Sequence, residues 1–414
     1  MATKFVMVDR KTPMLLAPDL REWVEEDDLV HLVIEVVESM DLREAVVNER
    51  GTGSEQYPPG MMLALLIHSY ANGVFSSRKI ERMTFQHVPT RYLTGDLHPD
   101  HTTVATFRKK NRALISTVFV QLLQIAREMK LLQIGTIHLD GTKILASASK
   151  RMSRSEAQLQ EELEILDRSV ASGLLQQAEQ ADKEDDDAQH RLPKELKDAA
   201  TRKAKLEAAR LVVQERKRVA GVQAKEPKVN LTDADSGAMP TAQGSKIQGY
   251  NAQLAVDEGG LIVGGTVINR PGDRQELVST FTTIPPECGT VKNAAADAGY
   301  DNSALVREMK ERFNVTVYCP PQESPQPPSC RPERSRVRRE RLAERRERRN
   351  RMDTTFGRKL LYLRRTTIEP VFGILKETFG FRRFSVRGLA AVQSEWRLLS
   401  VAFNCWRIWR TCGA

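Results

Sequence analysis

Four residues near the C-terminus recur at helical spacing and carry side chains that can act as acid, base and cation. In the run YLRRTTIEPVFGILK they follow one another at intervals of three, four and seven residues, namely Tyr362, Arg365, Glu369 and Lys376. An α-helix turns about 100° per residue, so Glu369 and Lys376 lie within roughly 20° of each other on one stripe. The spacing therefore predicts an acid and a base side by side on a helix.

Pro370 decides where this helix is expected to begin. Proline is tolerated in the first turn of a helix and disfavours the helical conformation in the residue before it. We therefore expect Thr366 or Thr367 to serve as N-cap, with Pro370 in the first turn. Tyr362 and Arg365 join the stripe only if the helix extends upstream.

Two further carboxylates lie directly after apolar runs. Asp140 follows IGTIHL, and Asp297 follows VKNAAA. Alternation of apolar and polar residues predicts a strand up to Asp140, a turn at Asp140 and Gly141, and a second extended piece. Without a long polar insertion, the central elements run strand, strand, strand, helix, strand, helix, strand, helix. This order predicts an α/β fold in which Asp140, Asp297 and Glu369 meet at one edge of a mixed sheet.

A cluster of three carboxylates is costly unless it holds cations, and Mg²⁺ and Mn²⁺ prefer ligands that are all oxygen. Two such ions about 3.5–4 Å apart can activate water or a 3′-hydroxyl on one side of a phosphodiester and stabilise the leaving oxygen on the other. The predicted chemistry is in-line phosphoryl transfer. Four other acids lie beside turn residues, where an aspartate often bonds its own backbone, namely Asp233, Asp235, Asp257 and Asp273.

Residues 1–130 are predicted to form an all-helical N-terminal domain. One of its helices is expected to begin near Asp100 and to carry a basic face with Arg108 and Lys109. Short helices joined by tight turns suit a helix-turn-helix-like DNA reader, in which Arg108 and Lys109 contact DNA. A helical bundle without that function fits the pattern equally well.

The central region is divided by an insertion. Residues 131–150 and 226–320 carry the strand patterns of the core, and residues 151–225 between them are rich in helix-forming residues. Leucines spaced by three or four residues predict a coiled-coil-like helical hairpin, with the charged run ADKEDDDAQHRLPK at its tip.

The C-terminal part of the chain is strongly basic. Residues 321–352 form a proline linker and an arginine-rich segment, and residues 353–414 hold the Glu369 helix and a basic region. The formal charge of +9 divides into +14 for residues 331–414 and −5 for residues 1–330. This asymmetry suggests that one end meets a polyanion such as nucleic acid, although the arginine run alone also fits a solvated, salt-bridged helix.

The segment GFRRFSVRGL is the best candidate for direct DNA contact in this region. It combines phosphate donors with aromatic rings, namely Arg382, Arg383, Arg387, Phe381 and Phe384. The tryptophans near the C-terminus are expected in the core instead. The five cysteines form no C-x-x-C pair, and the seven histidines form no ligand motif, which argues against a disulfide framework and a zinc site.

The motifs DGTK around Asp140, ADAGYDN around Asp297 and Y-x2-R-x3-E-x6-K resemble those of DDE transposases. More narrowly, the chain is similar to bacterial insertion-sequence transposases with the last signature, whose catalytic core is RNase H-like. The runs YPPGMMLALLIHSYANGVFSSRKIE and HTTVATFRKKN also resemble the helical N-terminal domain of that family, so the resemblance covers nearly the whole chain. Two features depart from the family: the proline and arginine segment, and the position of the helical insertion.

The resemblance implies that Asp140, Asp297 and Glu369 bind two divalent ions, Mg²⁺ or Mn²⁺. It also implies that Tyr362, Arg365 and Lys376 position DNA or its phosphates, and Lys143 after the first acid is a further candidate. The expected partner is double-stranded DNA, both the element ends and the target.

A homodimer on DNA is expected because two ends must be paired, with the insertion as a candidate interface. No apolar run is long enough for a membrane span, and no signal peptide is recognisable, so we expect a cytoplasmic, nucleoid-associated bacterial protein. A catalytically silent transposase-derived DNA-binding repressor and a non-specific metal-dependent nuclease are the alternatives.

Overall fold

A mixed six-stranded sheet forms the centre of the computed structural model, which describes residues 19–47, 56–168, 199–220, 227–241, 244–322 and 336–412. Its strands are β1 (Thr136–Leu145), β4 (Gly237–Pro240), β5 (Lys246–Asp257), β6 (Ile262–Ile268), β7 (Asn293–Ala295) and β8 (Thr316–Tyr318). The order is β4-β5-β1-β7-β8, and β6 also pairs with β5. β5 runs antiparallel to β1 and β6, whereas β7 is parallel to both β1 and β8. The mixed sheet agrees with the predicted α/β class and is consistent with an RNase H-like core.

A hairpin around Gly259 and Gly260 connects β5 and β6. Gly260 has a φ of 83°, which is a left-handed conformation that favours glycine. The predicted turn at Asp140 and Gly141 is wrong, because both residues lie inside β1 and pair with Leu254 and Gln253 of β5. β1 therefore carries Asp140 in its middle.

Among the residues that the structure describes before the sheet, there are six α-helices: α1 (Leu29–Glu38), α2 (Pro59–Ala71), α3 (Ser77–Gln86), α4 (Val88–Thr94), α5 (His101–Lys110) and α6 (Arg112–Glu128). The Asp100 carboxylate accepts hydrogen bonds from the N–H groups of Thr102 and Thr103, so it caps α5 as predicted.

These helices share one apolar core with the sheet and with the last helix, α13 (Leu389–Cys412). α13 packs against α2, α6 and β6. The predicted domain boundary at residue 130 therefore does not divide the chain into two independent hydrophobic cores. Trp396 on α13 is buried, as expected for a core residue.

The inserted segment has a small core of its own. α7 (Glu156–Arg168) packs against α8 (Ala199–Ala220), and the strands β2 (Ser153–Ser155) and β3 (Lys228–Asn230) pair at their base. Salt bridges join Lys217 to Glu156 and Arg202 to Glu162, so the two helices are antiparallel. Buried side chains close this core, namely Leu159, Leu163, Leu206, Ala209, Val213 and Val229. The predicted tip of the hairpin lies outside the described residues.

Within the described ranges, four further helices contact strands of the sheet: α9 (Glu276–Phe281), α10 (Ser303–Phe313), α11 (Arg336–Asp353) and α12 (Thr355–Gly373), which continues as a π-helix (Ile374–Thr378). Four short 3₁₀ turns complete the described elements, at Leu20–Trp23, Lys150–Met152, Pro286–Cys288 and Ala298–Tyr300. No helix among the described residues is long and apolar enough to cross a membrane.

α12 begins earlier than predicted. Its N-cap is Thr354, whose hydroxyl accepts a hydrogen bond from the Gly357 N–H at 3.0 Å, and Pro370 lies inside the helix. The prediction of Thr366 or Thr367 as N-cap is therefore wrong. Leu360, Ile368 and Val371 are buried on one face of α12. Their packing holds the helix together through the proline, which removes one backbone donor.

The arginine-rich helix α11 packs on the core along one face. Arg348 is buried, and its guanidinium donates to Asp301 Oδ1 at 2.6 Å and to Ser303 Oγ at 2.8 Å. Arg351 on the same face lies 3.5 Å from the Val317 carbonyl, whereas Arg349 is exposed. The run is therefore more than a solvated helix, because it is anchored by a buried ion pair.

We expect Arg348→Met to destabilise the fold by about 3 kcal/mol, because the substitution leaves the Asp301 carboxylate buried without its cation. Arg349→Met, at the neighbouring exposed position, is expected to change the free energy of unfolding by less than about 0.5 kcal/mol. Urea denaturation of both variants measures the difference. Equal stabilities would show that the Arg348 ion pair does not anchor α11.

Candidate active site

Asp140 and Asp297 lie next to each other, just beyond the point where the pairing of β1 with β7 ends. β1 and β7 are parallel, with His138 opposite Ala295, so Asp140 and Asp297 each follow the last paired residue by two positions. The Gly141 N–H donates to Asp140 Oδ1 at 2.8 Å, and the Gly299 N–H donates to Asp297 Oδ1 at 2.9 Å. Both carboxylates are thereby oriented by a backbone N–H group that follows them closely in the chain.

Glu369 on α12 is linked to Asp140 by an arginine, Arg364, which the sequence did not indicate as a site residue. Arg364 Nη1 donates to Asp140 Oδ2 at 2.9 Å, and Arg364 Nη2 lies 3.8 Å from Glu369 Oε1. The Arg364 side chain is only 10% exposed, while that of Glu369 is 56% exposed. A buried guanidinium therefore stands between the first and third acids.

Burial raises the pKa of the Asp140 carboxyl to about 6. The Arg364 guanidinium and the Gly141 N–H oppose this effect, and the nearby negative charge of Asp297 adds to it. The influence of Asp297 on Asp140 agrees with their neighbouring positions on β1 and β7. A cation that approaches this carboxyl favours its ionised form and lowers its pKa.

The two predicted lysines lie on either side of Asp140. Lys376 Nζ donates to the Thr142 hydroxyl, and the pKa of Lys376 is lowered by burial, with the Arg382 charge adding to the effect. Lys143 Nζ lies 3.2 Å from Asp273 Oδ1. Both ammonium groups are therefore held close to the strand that carries the first acid.

A polar cluster beside Asp140 was also missed from the sequence. Asp273 Oδ1 accepts hydrogen bonds from Asn251 Nδ2 at 2.6 Å and from Gln253 Nε2 at 2.7 Å, in addition to its contact with Lys143. A Cβ at Gly141 would lie 2.2 Å from Gln253 Nε2, so only glycine fits there. Asn251 and Gln253 alternate on β5 opposite Lys143 and Gly141, and this register is the signal that could have identified the cluster.

Tyr362 and Arg365 do join the exposed stripe of α12, because the helix extends upstream. Tyr362 is 68% exposed, and Arg365 and Glu369 are exposed on the same face. A large phenol ring that is open to solvent and lies two turns before Glu369 is available to a partner molecule.

Three of the other acids have structural roles. Asp233 accepts hydrogen bonds from the Tyr250 hydroxyl, Asp235 accepts one from the Leu389 N–H at the start of α13, and Asp257 accepts one from the Gln133 N–H. The expectation that such an aspartate bonds its own backbone is confirmed for Asp257, which accepts a hydrogen bond from the Leu261 N–H at 2.7 Å, whereas Asp235 accepts one from a backbone group 154 residues away. Asp273 differs, because it lies next to the site.

The predicted basic residues fall into two groups. Lys109, Arg382 and Arg387 are exposed, and Arg383 is partly buried next to the end of β1. Arg382 forms an ion pair with Glu377, and Arg387 Nε donates to the Ser147 carbonyl at 2.9 Å.

Arg108, by contrast, is buried and has an internal role. Its Nη1 donates to the Tyr70 hydroxyl at 2.7 Å and to Ser385 Oγ at 3.1 Å, and it lies 3.6 Å from Glu395 Oε1. Arg108 joins α5 to the C-terminal segment, so its prediction as a surface contact for DNA is corrected.

The predicted aromatic contacts Phe381 and Phe384 are also corrected. Both rings are buried, and their centroids lie 5.3 Å apart in an edge-to-face arrangement. They pack against Trp396. Burial of these two apolar rings in the core stabilises the fold, whereas their exposure for stacking on bases would lose that stabilisation.

The donor set of the three acids fits a divalent cation. Asp140 and Glu369 already share a cation in the form of the Arg364 guanidinium, and carboxylate oxygens suit Mg²⁺ or Mn²⁺. In the parts of the chain that the structure describes, no three His, Cys, Asp or Glu side chains are close enough to enclose an ion as they stand. Binding of an ion by this set therefore requires Arg364 to move aside.

Competition with protons gives this site an expected pH dependence. Because burial raises the pKa of Asp140 to about 6, the affinity for Mn²⁺ is expected to rise about tenfold per pH unit below pH 6 and to level off above it. Titration of Mn²⁺ by electron paramagnetic resonance from pH 5 to pH 8 measures this change. Asp140→Asn should remove the break near pH 6, and a break that persists in the variant would assign the titration to another group.

Two family models match separate parts of the chain. One, described as a transposase DDE domain, matches residues 221–405, and the other, described as a transposase domain (DUF772), matches residues 18–110. Asp297 and Glu369 lie within the first match, whereas Asp140 lies before it and is placed by its pairing on β1. No curated protein and no solved structure matches the chain. With a transposase domain at each end of the fold, the chain belongs to the DDE-type transposases of insertion sequences.

Proposed function

We propose that this protein binds the terminal inverted repeats of its own insertion sequence, cleaves the DNA there and joins the 3′-hydroxyl ends to target DNA. The observation that carries this proposal is the position of Asp140 and Asp297 at matching places on the paired strands β1 and β7, together with the Arg364 guanidinium, which contacts both Asp140 and Glu369. Asp297 and Glu369 lie within the matched DDE domain. The reaction is phosphoryl transfer without a covalent protein intermediate.

The three carboxylates would hold Mg²⁺ or Mn²⁺, with two ions expected. The bound ions would supply an activated hydroxyl and stabilise the leaving oxygen. Asp140 and Asp297 are fixed by backbone N–H groups, and Glu369 is positioned by α12. Lys376 and Lys143 flank Asp140, where their ammonium groups can bind the phosphates next to the scissile bond.

The DNA would lie along the exposed face of α12 and the basic segment after it. Tyr362 and Arg365 precede Glu369 on this face, and Arg382, Arg383 and Arg387 follow it in the chain. The Y-x2-R-x3-E-x6-K signature fits this path, because its four members lie on one helix and its π-helical continuation. The N-terminal helices of residues 18–110 would read sequence at the element ends.

A homodimer on DNA is part of the proposal, because two element ends must be joined together. The antiparallel pair α7 and α8 stands apart from the main core and is a candidate for the contact. Light scattering with and without DNA tests this point. A monomer in both conditions would contradict the proposed dimer but would not contradict the proposed cleavage.

Strand transfer separates the proposed activity from its two alternatives. A duplex that carries one element end with a free 3′-hydroxyl is incubated with the protein, Mg²⁺ and a supercoiled target plasmid. The transposase is expected to produce plasmid covalently joined to the labelled duplex. Nicked plasmid without joining would support a nuclease, and binding without any covalent product would support a repressor.

A further inference from the structure

A cavity of about 400 Å³ lies where the N-terminal helices meet the C-terminal segment. Residues from α5, the start of α6, the chain after β1 and the region before α13 line it. Four of the lining residues are cationic, namely Arg108, Lys109, Arg112 and Arg387. They come from two parts of the chain more than 250 residues apart, so only folding brings them together.

Three of these cations are not matched by an acid. Arg108 lies 3.6 Å from the buried Glu395 carboxylate, which balances its charge. Within the described ranges, no carboxylate forms an ion pair with the other three, namely Lys109, Arg112 and Arg387. Like charges that line one cavity repel each other, and an anion bound between them is attracted to each of them and offsets this repulsion.

The geometry of the cavity is fixed by the protein itself. Arg387 Nε donates to the Ser147 carbonyl at 2.9 Å, and Ser385 is held by its N–H bond to Glu395 Oε2 at 2.8 Å. Lys109 and Arg112 flank the corner between α5, which ends at Lys110, and α6. Lys109 and Arg112 are therefore presented by helices, and Arg387 is tied to the chain after β1 by its hydrogen bond.

The distance from the acids can be estimated along the chain. Ser147 at the cavity follows Asp140 by seven residues, and the chain between them continues the extended course of β1 through a hydrogen bond from the Ala146 N–H to the Gln248 carbonyl. At about 3.3 Å per residue this path covers roughly 23 Å. DNA rises about 3.4 Å per nucleotide, so the same distance corresponds to about seven nucleotides.

We propose that this cavity binds a backbone phosphate of the element-end DNA about seven nucleotides from the scissile bond. The proposal rests on the proposed function and names a second anchor for the same substrate. Phosphate is recognised by cationic and hydroxyl donors without reading of sequence, so the anchor sets the register of the duplex relative to Asp140. DNA is favoured over a small anion because residues 331–414, the segment that supplies Arg387 to the cavity, carry a net charge of +14.

Ethylation interference with end-labelled element-end duplexes tests the position of this contact. Binding of the wild-type protein is expected to be blocked by ethylation of one phosphate, or two adjacent ones, about seven nucleotides from the cleavage site. The double variant Arg112→Gln with Arg387→Gln should lose this interference signal. Its DNA affinity should fall roughly tenfold, and the slope of log affinity against log salt should decrease by about 1.

The matched control is Arg307→Gln with Arg312→Gln, which removes the same charge from two exposed arginines on α10, a helix with no proposed role in DNA binding or dimerisation. The control should keep the wild-type interference pattern and salt slope. If the wild-type protein cleaves the ends but the double variant matches the control in pattern and slope, the cavity proposal is wrong and the proposed function stands. If the wild-type protein binds no DNA, both fail. If the double variant loses dimerisation and retains every DNA contact, the cavity serves a second copy instead.

Discussion

Asp140→Asn, Asp297→Asn and Glu369→Gln are each expected to reduce the rate of DNA cleavage about a thousandfold or more. Each substitution replaces a carboxylate that would hold a divalent ion with a neutral amide. Such ions stabilise transition-state charge by several kcal/mol, and about 4 kcal/mol corresponds to a thousandfold change in rate. The cleavage rate is measured in single-turnover reactions with saturating protein.

Two controls separate loss of chemistry from loss of folding or binding. Glu377→Gln changes an exposed acid eight residues after Glu369 in the same segment, and it should retain most of the wild-type rate. DNA affinity of the three acid variants, measured in Ca²⁺ or without divalent ions, should stay within about threefold of the wild-type value. If any of the three variants cleaves at a rate close to that of Glu377→Gln, that residue does not belong to the catalytic set.

Arg364→Met is expected to have two opposite effects. Without divalent ions the variant should be less stable by about 3 kcal/mol, because Asp140 and Glu369 lose the cation that they share. Its affinity for Mn²⁺ should rise roughly tenfold, because the guanidinium no longer competes for the same carboxylates. Saturating Mn²⁺ should therefore recover much of the lost stability. Thermal denaturation with and without Mn²⁺, together with ion titration, measures both effects.

Arg365→Met is the matched control for Arg364→Met. Arg365 is the next residue on α12 but faces solvent, so this variant should keep the wild-type stability and ion affinity. It should lose affinity for DNA instead. Equal ion affinities in the two methionine variants would contradict the inference that Arg364 occupies the place of a cation in the metal-free protein.

The chemistry of the site could be predicted from the sequence because it depends on spacing. The stripe of α12 follows from the helical period, and the pairing of Asp140 with Asp297 follows from the parallel strands that precede them. Arg364 was missed because it falls on the apolar face of α12 with Leu360 and Ile368, where a charged residue is unusual.

The errors share a physical cause, which is that tertiary packing outweighs local preference. Pro370 was expected to start a helix, but buried residues on α12 hold the helix through it. Gly141 was expected in a turn, whereas it is required because Gln253 packs directly over it in the sheet. Arg108 and Phe381 were expected at a DNA surface because the sequence alone does not show which face of a basic, aromatic segment packs inward.

The most direct test of the central claim is cleavage of end-labelled DNA taken from either side of the gene, with Mg²⁺ or Mn²⁺, by the wild type, Asp140→Ala and Glu369→Ala. The account predicts discrete cuts by the wild-type protein at the ends of inverted repeats, and no cuts by either variant. Binding of these DNAs without cuts under either metal, or cuts that persist in both variants, would contradict it.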